Sequence, residues 1–141
     1  SYILDLFSGV GSFGIECLSR GVKSVTFIEN YKEVLPILER NLYNLSNIKN
    51  YKILKKDIFK DNLELNFKNK FDIIFLDPPY KEKNLNILLK KIENLQILKK
   101  ETIIILHRHK TEEDIFPPNY NIIEEKLYGI SKIFFLKFLN K

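Results

Sequence analysis

The sequence predicts an α/β fold: an open, Rossmann-like sandwich with a mostly parallel seven-stranded sheet, a C-terminal antiparallel hairpin and helices on both faces. Two observations predict it. Apolar runs without polar alternation, such as YILDLF (2–7), FDIIFLD (71–77) and TIIIL (102–106), belong to strands buried on both faces. Between them lie segments with apolar residues at helical spacing, as strand–helix–strand crossovers require.

Each element follows from local chemistry. Strand one (2–7) breaks on SGVGSFG, and 12–20 reads as a short helix stopped by Gly21. KSVTFIE (23–29) is β-branched and aromatic, a second strand. In 30–45, Val34, Leu35, Leu38, Leu42 and Leu45 recur at helical spacing, while Pro36 should kink that helix or delay its start. YKILKKDIF (51–59) is strand three and its exit, 71–77 is strand four, 84–98 a helix and 102–106 strand five. Segments 121–129 and 131–139, flanking a Gly129–Ile130 turn, form the closing hairpin.

Bulk properties exclude several classes. At 141 residues, 45% hydrophobic, the chain is one globular domain rather than a disordered segment. No apolar run reaches the ~18 residues of a membrane span, and no signal peptide is visible. One cysteine, Cys17, rules out an internal disulfide framework and suits the cytoplasm; with two distant histidines it makes no zinc site. Cys17 reads as a core residue. The net charge of +5 permits a polyanionic partner without demanding one. Strand one begins at Ser1 or Tyr2, so the chain reads as a fragment without an N-terminal leader.

Ligands in open parallel sheets sit at the carboxyl ends of strands. Three strand ends here are chemically suggestive. DLFSGVGSFG (5–14) sets Gly9, Gly11 and Gly14 as G-x-G-x-x-G between a strand and a helix. Such glycines allow tight turning and close ligand approach, and the helix N-terminus offers unpaired N–H groups. A plain strand–helix turn uses glycines too. Glu29, twenty positions after Gly9, has the spacing of an acid that accepts from ribose hydroxyls.

The loop alone fits NAD or S-adenosylmethionine, and Asp5 discriminates between them. D-x-x-x-G-x-G resembles the first motif of class I methyltransferases, whose acid helps to hold the cationic methionine end. Asp57, in KKDIF, resembles the acid that accepts from the adenine amino group; an ordinary loop aspartate is the other reading. Asp77-Pro78-Pro79-Tyr80 resembles the [DNS]-P-P-[YFW] motif of methyltransferases acting on exocyclic or amide nitrogens. An aromatic amine is a poor nucleophile because its lone pair is delocalised. If the Asp77 carboxylate and the Pro78 carbonyl accept its N–H groups, the nitrogen can pyramidalise toward the methyl donor. Tyr80 offers a face for stacking, worth ~1–3 kcal/mol per base. His107-Arg108-His109, ending strand five, reads as a solvated loop, with a phosphate contact as the other reading. Lys55, Lys56, Lys81 and Lys83 are candidate phosphate contacts.

YILDLFSGVGSFGIECLSRGVKSVTFIE, FDIIFLDPPY and YGISKIFFLKF are together similar to the RsmD family, guanine-N2 methyltransferases of 16S ribosomal RNA. The resemblance implies a class I methyltransferase sandwich using S-adenosyl-L-methionine. Cofactor contacts would come from Asp5, Phe7, Gly9, Gly11, Glu29, Asn30, Asp57, Ile58 and Asp77. Asp77, Pro78, Pro79 and Tyr80 would hold the guanine amine. The partner would be ribosomal RNA or a small-subunit assembly particle, met by a cytoplasmic monomer without a metal. Two departures stand out: the family's leader is absent, and HRH stands where relatives often place an acid. An adenine-N6 methyltransferase, a non-catalytic RNA-binding module and a nicotinamide-dependent oxidoreductase are the alternatives.

Overall fold

The computed structural model describes residues 1–45, 47–79 and 82–139. The elements run β1 (Tyr2–Leu6), α1 (Ser12–Ser19), β2 (Ser24–Ile28), α2 (Leu35–Tyr43), β3 (Tyr51–Leu54), β4 (Phe71–Leu76), α3 (Leu85–Asn94), β5 (Leu98–His109), β6 (Tyr120–Tyr128) and β7 (Ser131–Phe138). All seven strands form one sheet in the order β3-β2-β1-β4-β5-β7-β6. The first five are parallel, and β7 lies antiparallel between β5 and β6. The expected mixed sheet is borne out. Successive strands step outward from β1 one way and from β4 the other, so the switch point lies between β1 and β4.

Two cores follow from the alternation of side chains along each strand. Ile3, Val25 and Phe27 pack on one face with Leu18 of α1 and Leu38 and Leu42 of α2. Leu4, Leu6, Ile74, Leu76, Ile104 and Leu106 pack on the other with Leu85, Leu88, Leu89 and Ile92 of α3. Helices therefore cover both faces.

Several boundaries differ from the sequence reading. Helix α2 begins at Leu35, with Pro36 in its first turn where a missing N–H costs little. Residues 31–34 instead make a turn, with Val34 and Leu35 N–H both donating to the Tyr31 carbonyl. β3 stops at Leu54. α3 ends at Asn94 because Gln96 takes a left-handed φ of 56°, which no helix continues.

Strand β5 is longer at both ends than the five apolar residues suggest. Leu98 pairs with Phe71 but Ile103 with Ile73, so a bulge absorbs the residues between. Thr102 closes it, accepting from Lys99 N–H at 2.7 Å and donating to the Phe71 carbonyl at 2.6 Å. At the far end, His107, Arg108 and His109 pair with Ile133, Lys132 and Ser131. HRH is a strand end, and the loop expectation is corrected.

Candidate active site

The glycine loop leaves β1 through Phe7, whose φ of 59° is left-handed and strained for a bulky residue. Gly9 follows at φ 56°, with open space where a Cβ would point. Its N–H donates to Glu29 Oε1 at 2.8 Å. Gly14 is needed for another reason: a Cβ there would lie 2.3 Å from the Phe27 ring, so it lets α1 press on β2. Gly11 likewise faces Leu38, and its N–H bonds the Ser8 carbonyl at 2.9 Å. Of the three glycines, Gly9 is the one facing open space.

Beneath the loop sits Asp5, 1% exposed. Its Oδ2 accepts from Gly14 N–H at 3.2 Å, while Oδ1 is buried without a partner. An orphaned buried carboxylate oxygen is costly and needs an explanation. Burial lifts this carboxyl from 3.8 to about 8; the Gly14 N–H opposes the lift, and the charges of Asp77 and Glu29 add to it. An acid whose folded pKa is raised binds more protons folded than unfolded, so it erodes stability as pH climbs from about 4 to about 8. Asp5→Asn, which still accepts from Gly14, should therefore stabilise the free chain by an increment growing over that window and level above it. Urea midpoints at several pH values check this. A pH-independent increment would show that Asp5 is not the group being titrated.

Phe7, Ile28, Glu29, Asn30, Lys56, Asp57 and Ile58 line one small cavity beside the loop. Five of the residues expected at the cofactor, Phe7, Glu29, Asn30, Asp57 and Ile58, thus converge, with the phosphate candidate Lys56 beside them. Glu29 Oε2 accepts from Tyr31 N–H at 3.0 Å, so the carboxylate bridges the loop to the start of the α2 connection. Asp57 Oδ1 accepts from Phe59 and Lys60 N–H at 2.8 and 3.3 Å, and Asn30 Nδ2 donates to Oδ2 at 3.5 Å. These acids hold their loops and line the cavity.

The acceptor-rich corner follows β4. Asp77 is exposed and Pro78 buried. Asp77, Pro78 and Pro79 line a pocket of about 320 Å³ with His107, Arg108, His109, Ile130 and Ser131. Tyr80 and Lys81 lie outside the described residues. Sequence reasoning missed what braces this corner. Arg108 is 2% exposed. Its guanidinium donates to both carboxylate oxygens of Asp114 at 3.0 Å, to the Pro79 carbonyl at 3.3 Å and to the Glu82 carbonyl at 2.9 Å. One available signal was compositional: only Arg20, Arg40 and Arg108 are arginines in a lysine-dominated chain, and the planar fork suits bidentate, buried work.

Other candidates resolve simply. Cys17 packs against the α1–α2 core, as expected of a core residue. Lys55 pairs with Glu39 at 3.4 Å in solvent, and the exposed Lys83 with the partly buried Glu112 at 3.0 Å. Among the described residues no cluster could hold a metal ion, and no helix is long and apolar enough to cross a membrane.

A parallel sheet with this strand order, an acid under a glycine loop and an acceptor corner across the switch point define a class I methyltransferase fold. The chain belongs to the family described as conserved hypothetical protein 95, whose model matches residues 1–137. This agrees with the RsmD resemblance. A protein named ribosomal RNA small subunit methyltransferase D from Buchnera aphidicola (strain APS) is 32% identical over 90% of this chain and 65% of its own length. Its namesake from Haemophilus influenzae is 33% identical over 92% and 68%. The chain thus spans about two thirds of the length of these curated relatives. A solved structure of a conserved hypothetical protein from Streptococcus pyogenes matches with a TM-score of 0.82 at 26% identity, over 96% of this chain and 84% of that one.

Proposed function

We propose that the chain is a single catalytic domain that methylates the exocyclic N2 amine of a guanine in small-subunit ribosomal RNA, with S-adenosylmethionine as donor. The observation that carries this is the placement of the Asp77-Pro78-Pro79 corner across the switch point from the buried, half-satisfied Asp5. The RNA and the small subunit are supported by the relatives' names, and guanine N2 by the family resemblance. Ribosomal RNA as substrate puts the reaction in the cytoplasm, and a net charge of +5 suits a monomer docking on a polyanion.

The residues fit this donor. Asp5 Oδ1 offers an unpaired acceptor to the amino-acid end, whose positive charge would favour the ionised carboxylate over the protonated form that burial favours in the free chain. Glu29 would face the ribose hydroxyls, and Asp57 and Ile58 the adenine. Bound there, the cofactor would supply an electrophilic methyl group on a sulfonium. Asp77 would accept one N–H of the target amine and localise its lone pair. That nitrogen would form the new N–CH₃ bond while the S–CH₃ pair stays on sulfur, and its surplus proton would pass to Asp77 or to water. The two prolines keep the corner stiff, so little reorganisation is needed at the moment of reaction.

Nucleoside mass spectrometry of ribosomal RNA from cells with and without the gene tests the reading. Loss of N2-methylguanosine is expected; loss of N6-methyladenosine, or no change, would refute the assigned base. At the cofactor site, Glu29→Ala should weaken S-adenosylmethionine binding by ~1.5–3 kcal/mol, the range for hydrogen bonds to a charged group. Calorimetry measures it, and tighter binding of NAD than of S-adenosylmethionine would overturn the methyltransferase reading.

A further inference from the structure

His107 is unexplained by the fold. It lies on β5 with its side chain on the face opposite buried Leu106 and Arg108, next to the corner rather than in a core. Its Nδ1 is 2.8 Å from Asp77 Oδ1, and its Nε2 is 2.8 Å from Ser131 Oγ. Three elements meet here: the end of β4, β5 and the start of β7. The register pairing His107 with Ile133 and His109 with Ser131 sets the geometry, and a one-residue slip would turn His107 to the other face.

We propose that His107, braced by Ser131, is the positioning residue for the Asp77 carboxylate. The inference rests on the methyl-transfer reading. A carboxylate only accepts, so Nδ1 carries the proton and donates to Oδ1; the neutral ring then accepts from the Ser131 hydroxyl through Nε2. With Oδ1 held, the carboxylate cannot rotate, and Oδ2 is left to accept from the substrate amine. Asp77 is otherwise an exposed side chain on a turn, free to sample rotamers that miss the amine. Protonation of the ring would place a full positive charge against Asp77, weaken it as an acceptor and turn Nε2 from acceptor to donor at Ser131.

Among the described residues, the charged and titratable groups around the ring are few. Asp77 faces it from the β4 corner, and His109 shares its face of β5, hydrogen-bonded to Thr111. On β6, the Lys126–Glu124 pair, 3.7 Å apart, lies beyond Ile133 and Phe135. The Arg108 guanidinium points to the opposite face and is occupied by Asp114. Among these, Asp77 alone is bonded to His107.

The experiment uses the full natural protein. His107→Ala should lower kcat by on the order of 10–100-fold, the cost of a misplaced reacting partner. Its cofactor Kd, RNA KM and melting temperature should stay close to wild type. His107→Asn keeps a donor near Oδ1, so it should recover much of the rate. Independently of activity, ¹⁵N NMR of wild-type His107 should show the Nδ1-protonated tautomer at neutral pH, and Asp77→Ala should abolish that preference. A His107→Ala rate within threefold of wild type would sink the proposal while leaving methyl transfer standing. Wild-type protein that transfers no methyl group would remove both. Hydrolysis of an activated ester by wild type, lost in Ser131→Ala, would reassign the Asp77–His107–Ser131 series to nucleophilic chemistry.

Discussion

Asp77→Ala is expected to cut methyl transfer by on the order of 10³-fold while leaving S-adenosylmethionine affinity within a few fold. The rate effect follows from removing a preorganised acceptor from the reacting nitrogen, a class of loss that costs about 10²–10³-fold per group. The affinity should survive because the cavity lined by Glu29, Asn30, Asp57 and Ile58 does not include Asp77. Stability should barely move: Asp77 and His107 are 46% and 36% exposed, and such pairs contribute little to folding. Asp77→Asn should fall between, since its amide oxygen can still accept one N–H. Single-turnover rates on ribosomal RNA, beside calorimetry for the cofactor, make the comparison. Turnover of the alanine variant near the wild-type rate would show that the amine is held elsewhere.

That corner was readable from sequence because its chemistry is local. A strand ending in Asp-Pro-Pro declares its stiffness and its acceptors in consecutive letters, and the glycine loop and Glu29 declare theirs by spacing. Continuous apolar strands, likewise, announced a parallel sheet without any tertiary information. The boundaries that slipped were decided by tertiary partners. Nothing adjacent to His107-Arg108-His109 says that β7 will run alongside it and extend β5 by three residues. Nothing before Gln96 says that it will take a left-handed φ and end α3, because Ile97 and Leu98 continue the helical spacing beyond it. Arg108 shows the same limit at the site. Its partners Pro79, Glu82 and Asp114 lie on two loops, 29, 26 and 6 residues away, and only the folded sheet brings them together.

Arg108→Ala is expected to destabilise the protein by about 3–5 kcal/mol, the range for removing one partner of a buried ion pair. Asp114 would keep its charge with a side chain only 9% exposed and lose both of its guanidinium bonds. The Pro79 and Glu82 carbonyls would lose a donor at the same time. Against a total of roughly 5–15 kcal/mol for a domain, this is a large fraction. Urea denaturation should show it as a lower midpoint with an unchanged slope. Arg108→Lys should recover only part, because an ammonium cannot reproduce the planar fork across Asp114 while also reaching two carbonyls. The consequence for catalysis can be separated from the consequence for folding. Substituting both partners, Arg108→Met with Asp114→Leu, removes the stranded charge and should restore much of the stability. It does not restore the anchor under Pro79, so the corner carrying Asp77 should stay misplaced and turnover low in a protein that is fully folded. A double variant that regains both stability and wild-type turnover would mean that the prolines alone set the corner, with Arg108 serving the fold and nothing more.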